Sequence, residues 1–143
     1  MTDTELLNRA YNLCEEEQYG KALEYYDKIL KRDPTNIHAL KDKGVTLQNL
    51  RKYKQAIKCY DLVLMINNND VQVLVNKGSA LHSIGRYNDA IKCYDQALKN
   101  DKNFPMALAY KGLSLGELGQ IKEALKYFKM ALNLDKNYDI AAI

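Results

Sequence analysis

A period of 34 residues runs through the chain and constrains its fold more than any other feature. Ala22, Ala56, Ala90 and Ala124 each open a near-identical phrase: Ala-Leu-Glu-Tyr-Tyr-Asp, Ala-Ile-Lys-Cys-Tyr-Asp twice, and Ala-Leu-Lys-Tyr-Phe-Lys. The interval is 34 each time, without insertion. Twelve residues before each alanine stands a small residue: Ala10, Gly44, Gly78 or Gly112. Tyr19, Tyr53, Tyr87 or Ile121 lies three residues before, and Leu30, Leu64, Leu98 or Leu132 eight after. Self-similarity at a few tens of residues marks a stacked-repeat protein. Each unit is a supersecondary element that cannot bury its apolar face alone.

Each period splits into two helical patterns. Leu40, Gly44 and Leu47 share one face at helical spacing, and Leu74, Gly78 and Leu81 repeat it. Ala56, Ile57, Tyr60, Val63 and Leu64 form the stripe of a second helix. The spacing predicts helices near 4–16, 20–32, 37–50, 54–66, 71–84, 88–100, 105–118 and 122–134. Thr2 and Glu5 fit a capping box ahead of the first. Asp33-Pro34-Thr35-Asn36 and Asn67-Asn68-Asn69-Asp70 are turn clusters, and Pro105 suits a first helical turn, where a missing N–H costs nothing. Glycine inside a helix costs ~1 kcal/mol against alanine, so its recurrence needs a cause. A close helix crossing, Gly44 against Ala56 and Gly78 against Ala90, supplies one. The run from Gly112 through Gly116 to Gly119 falls inside a helix on this reading, with no strand before it, so it is no dinucleotide loop.

These residues resemble the tetratricopeptide repeat, a 34-residue helix–turn–helix unit, over residues 3–138. The opening aromatic is replaced by Leu6, Leu40, Leu74 and Leu108, and the closing proline survives only as Pro34. The resemblance implies an all-α fold, a right-handed α-solenoid, with one domain of four repeats at 3–36, 37–70, 71–104 and 105–138. Residues 139–143 form a short tail that reads like the start of a further helix. The first helix of each unit would line a concave groove suited to a peptide segment or partner helix. Its expected lining is Leu7, Asn8 and Tyr11, then Lys41, Asp42 and Val45, then Val75, Asn76 and Ser79, then Ala109, Tyr110 and Leu113. Cys14, Asn49, His82 and Glu117 would sit deeper along the same rows. Tyr11 and Tyr110 are the expected anchors, because aromatics dominate interface energies. A chaperone-type carboxylate clamp is rejected. Lys41 and Asn76 fit it, but Val45, Met106 and Tyr110 stand where its other polar groups belong, and a carboxylate would lack its charge-assisted bonds.

Composition excludes other classes. Lys and Arg total 21 against 18 Asp and Glu, an excess too small and too evenly spread for a nucleic-acid or membrane surface. No apolar run is long enough to span a membrane, and the acidic, polar start is no secretory signal. Cys14, Cys59 and Cys93 form no paired motif, as expected of reduced thiols in a cytoplasmic protein. His38 and His82 show no ligand spacing, no nucleophile–base set stands outside the repeat pattern, and no metal or cofactor is expected. The sequence therefore points to a protein-interaction scaffold rather than an enzyme. Two alternatives stand beside it: a self-assembling structural domain, or the docking domain of a larger enzyme. The last repeat lacks a polar capping helix, so Leu125, Phe128 and Leu132 would be partly bare. That fits either a piece of a longer array or a homo-oligomer formed through that end.

Overall fold

The computed structural model describes residues 1–142, with side chains described through Leu134. The described residues form eight helices and no strand: α1 Asp3–Glu15, α2 Tyr19–Arg32, α3 Ile37–Asn49, α4 Tyr53–Ile66, α5 Val71–Ser83, α6 Tyr87–Asn100, α7 Pro105–Glu117 and α8 Ile121–Ala142. They group into two compact units, Met1–Asn68 and Asn69–Ile143. The predicted helices match within one or two residues, except that α8 runs on to Ala142. The tail read as the start of a further helix thus continues α8, and Ile143 lies outside the described residues.

In the first unit α1 pairs with α2 and α3 with α4, and α2 packs on α3. Leu6 of α1, Ile29 of α2 and Ala39 of α3 meet in one buried cluster, so the first hairpin shares its core with the second. Burying a leucine or isoleucine contributes about 1.5–3 kcal/mol, and the share covered by Ala39 comes only with the neighbouring hairpin. The second unit repeats the plan, with α5 on α6, α7 on α8 and α6 on α7.

Local signals fix the hairpins. Thr2, Asn36 and Asp70, at intervals of 34, accept hydrogen bonds from the amides of Glu5, Ala39 and Val73 at 3.2, 3.0 and 3.1 Å. Phe104 occupies the fourth such place without a side-chain cap, and Pro105 follows it in the first turn. The turn inside each hairpin also repeats. Glu17, Arg51, Gly85 and Gly119 all adopt positive φ, at 58, 61, 82 and 79°. In the first, the amide of Gln18 bonds to the carbonyl of Leu13 and that of Glu17 to Cys14, closing the helix in a Schellman motif. Gly119 is therefore a turn residue outside α7, and only Gly112 and Gly116 of that run are helical.

The helix glycines admit an aromatic ring rather than the expected alanine. A Cβ on Gly44 would lie 2.9 Å from Tyr60 Cδ1 and closer still to Cε1. Gly78 meets Tyr94 in the same way, and Gly112 meets Phe128. Ala56 and Ala90 are buried, but the side chain facing each glycine is the aromatic four residues later.

Candidate functional site

In the first unit α1, α2 and α3 border an open groove of about 340 Å³. Helical spacing aims the lining residues: Tyr11, Cys14 and Glu15 share one face of α1, and Asp42, Val45, Thr46 and Asn49 one face of α3. Tyr11 is 62% exposed and Val45 42%, so the groove offers an apolar rim to solvent.

Its floor is polar but internally bonded. Cys14 Sγ lies 3.7 Å from the Tyr26 hydroxyl and 3.4 Å from Thr46 Oγ1, and the Thr46 hydroxyl donates to the Asp42 carbonyl at 2.8 Å. Burial, reinforced by Cys14 and the Asp42 charge, pushes the Tyr26 hydroxyl well above its ordinary range, against the Thr46 bond. Tyr26 is thus a neutral hydrogen-bonding group, unsuited to act as a base at neutral pH. Burial also pushes the Asp42 carboxyl up, with the charges of His38 and Lys41 opposing it.

The expected groove residues divide. Tyr11, Asp42 and Val45 come together; Cys14 and Asn49 line the same groove, Cys14 half-buried but Asn49 exposed rather than deep. Asn8 is exposed on α1 and Lys41 half-buried on α3. Leu7 is half-buried and packs against two core clusters instead. In the second unit Val75 corrects the expectation. It is fully buried, because its α5 position carries a core side chain rather than a groove contact. Asn76 accepts a hydrogen bond from Gln72 at 2.9 Å through Oδ1, and the Ser79 carbonyl accepts one from the Ser83 hydroxyl at 3.0 Å. Ala109 is half-buried. Tyr110 is half-buried with its ring 6.1 Å from that of Tyr94, so much of the second anchor is already engaged. Leu113 is exposed, as is Glu117. His82 Nδ1 sits 2.8 Å from Ser114 Oγ, with its ring edge-on to Tyr87 at 5.0 Å.

Sequence reasoning missed Glu15, Tyr19, Tyr26 and Thr46 as lining residues. The signal lay twelve residues before each repeated tyrosine, where Cys14, Gln48 and His82 precede Tyr26, Tyr60 and Tyr94. The Tyr60 hydroxyl donates to Gln48 Oε1 just as Tyr26 meets Cys14. A second missed signal is an Asp–Lys spacing of sixteen. Lys43 pairs with Asp27 at 2.7 Å and Lys111 with Asp95 at 2.6 Å, each joining the second helix of one hairpin to the first of the next. Cys59 and Cys93 are buried and form no disulfide, and burial pushes the Cys59 thiol up, away from reactive thiolate. Among the described residues no cluster of three or more side chains of metal-ligating type exists. No helix among them is long and apolar enough to cross a membrane.

Three family models described as Tetratricopeptide repeat match residues 13–75, 71–104 and 107–138. No curated protein matches the chain. Among solved structures it is similar to MamA from Desulfovibrio magneticus RS-1 (residues 41 to the end), at 21% identity and a TM-score of 0.90, covering 96% of this chain and 78% of that one. A crystal structure of MamA gives 22% identity and a TM-score of 0.89, with 96% and 81% covered. MamA MSR-1 gives 24% identity and a TM-score of 0.84, with 96% and 79% covered. Likeness at this identity shows the fold alone.

Proposed function

Because the chain belongs to the tetratricopeptide repeat family, we propose that it is a protein-interaction scaffold whose first unit holds a peptide segment in the groove between α1 and α3. The observation that carries this reading is Tyr11. A large aromatic left 62% exposed in a groove beside half-exposed Val45 costs solubility and contributes little to the core. The floor below it has its polar groups satisfied, which fixes the groove's shape before anything enters. The reading assigns no bond-making chemistry to these residues. It is tested by capturing binding peptides on an array with the intact chain, then repeating with Tyr11→Ala and Val45→Asp. Each substitution should weaken capture roughly tenfold or more while the melting temperature holds. Unchanged capture with both would move the site off this groove.

A second reading, self-association, rests on α8. Leu125 is 52% exposed and Leu132 59%, whereas Ile91 and Leu98 at the same repeat positions of α6 are half-buried where α7 packs on α6. Light scattering from about 1 to 500 µM tests it. A mass that rises with concentration and falls back with Leu125→Glu supports self-association, and a constant monomer mass opposes it.

A further inference from the structure

Resting on the groove reading, we propose that the first unit's groove selects a segment carrying a lysine or arginine next to an apolar residue. The groove presents two carboxylates, Glu15 from α1 and Asp42 from α3, with the Asn49 amide beside them, and no lysine or arginine lines it. His38 and Lys41 act on Asp42 from its own helix, yet neither belongs to the lining. Asp42 and Glu15 are both exposed, so an entering cation can reach the two carboxylates directly from solvent. The apolar rim completes the match. The methylene stem of a lysine or arginine packs along Val45 and the Tyr11 ring while its charged head reaches the carboxylates. An exposed tyrosine face adds a cation–π contact. A neighbouring apolar residue of the ligand covers what remains of Tyr11. An acidic ligand meets two like charges with no compensating cation among the lining residues, which gives the site its discrimination. The Thr46 and Tyr26 hydroxyls are engaged with Cys14 and backbone, so the charged groups that line the groove are the two carboxylates, with the Asn49 amide and the Tyr11 and Tyr19 hydroxyls as neutral polar neighbours.

The test titrates the full chain, labelled with nitrogen-15, with mixtures of seven-residue peptides. The central residue is fixed as arginine, citrulline or glutamate, and the flanks are drawn from Leu, Val, Phe, Ser and Gly. Citrulline keeps the shape of arginine without its charge. The arginine mixture is expected to shift the amides of Tyr11, Asp42, Val45 and Asn49 at concentrations roughly three to thirty times lower than the other two, the range for two exposed ion pairs together. Asp42→Asn and Glu15→Gln should each erase most of that preference, and Glu24→Gln, at an exposed position of α2 outside the groove, should leave it. Equal shifts from all three mixtures overturn the charge selection while leaving a peptide groove standing. A preference for glutamate also overturns it. No shift of these amides by any mixture overturns both the selection and the groove.

Discussion

Gly44→Ala isolates why glycine recurs inside these helices. Helix propensity alone favours the substitution by ~1 kcal/mol. The structure opposes it, since the new methyl would sit 2.9 Å from Tyr60 Cδ1, inside van der Waals contact with a fully buried ring that must shift within a packed core. Overpacking a filled core typically costs about 1–3 kcal/mol, so the net effect should be destabilising by about 1 kcal/mol. Ala10 packs in one buried cluster with Tyr26 in the first repeat, so the fold accommodates a methyl at that repeat position. The expected cost is therefore moderate rather than disabling. Gly116→Ala is the control: it lies in α7, and an added Cβ would meet nothing within 4 Å. Urea unfolding followed by circular dichroism should lower the midpoint for Gly44→Ala and raise it for Gly116→Ala. Combining Gly44→Ala with Tyr60→Leu should recover part of the loss, with a coupling of about 0.5–3 kcal/mol. If Gly44→Ala stabilises as much as Gly116→Ala, the ring-clearance argument is wrong.

Arg51→Gly relieves a side chain held at φ 61° and should stabilise by about 1 kcal/mol, read as a higher urea midpoint, whereas Arg51→Ala should not. Stability should fall as pH rises above about 9. Cys59, Tyr26, Tyr60 and Tyr94 are pushed above their ordinary 9.0 and 10.0 chiefly by burial, and Lys111 is raised above 10.5 because its bonds to Asp95 and Tyr127 outweigh burial. Each folded value exceeds the unfolded one, so each contribution is complete below the unfolded value and is lost as pH rises through the folded value. Urea midpoints that hold level to pH 11.5 would contradict this. Asp42→Asn should raise the melting temperature slightly at pH 7, since the partial burial that pushes the Asp42 carboxyl up disfavours its charge, an effect that solvent at this exposed residue reduces. The gain should vanish below about pH 3.8, where the wild-type group is protonated in both states. A gain that persists at pH 3 would point to another cause.

The repeat made the fold legible from sequence. Leu6, Leu40, Leu74 and Leu108 are all buried where the period places them, and so are the four alanines that define it. Position in a repeat fixes which way a side chain points, but not whether a neighbour covers it. Lys41 and Val75 hold the same repeat position, 34 residues apart, yet Lys41 is half-buried and Val75 fully buried. The groove floor was illegible for a related reason. Cys14, Tyr26 and Thr46 lie on three helices, and no local pattern announces that they meet. The glycine partner was misassigned because the sequence shows that space is needed but not which side chain fills it. Tyr60 wins over Ala56 because a flat ring reaches across the helix pair.

The Asp–Lys pairs explain how the groove keeps its shape without a large energetic contribution. Asp27 and Lys43 are chain neighbours of Tyr26 and Asp42, so the ion pair fixes α2 on α3 one residue away from the groove floor and rim. Asp95 and Lys111 hold the same positions in the second unit, where Lys111 is only 13% exposed and also meets the Tyr127 hydroxyl at 2.9 Å. Exposed pairs contribute about 0–1 kcal/mol, so the value of Lys43 lies in register more than in stability. In near-identical helices, where a slip of one turn still buries apolar side chains, a charge at a fixed place distinguishes one docking from the next. Lys43→Met should therefore change the urea midpoint little while loosening α2 against α3. Cys14, half-buried between them, reports this directly: its alkylation by iodoacetamide, followed by mass spectrometry, should accelerate severalfold while buried Cys93 of the second unit stays protected. An unchanged Cys14 rate would mean that the apolar contacts of Leu6, Ile29 and Ala39 alone set the register.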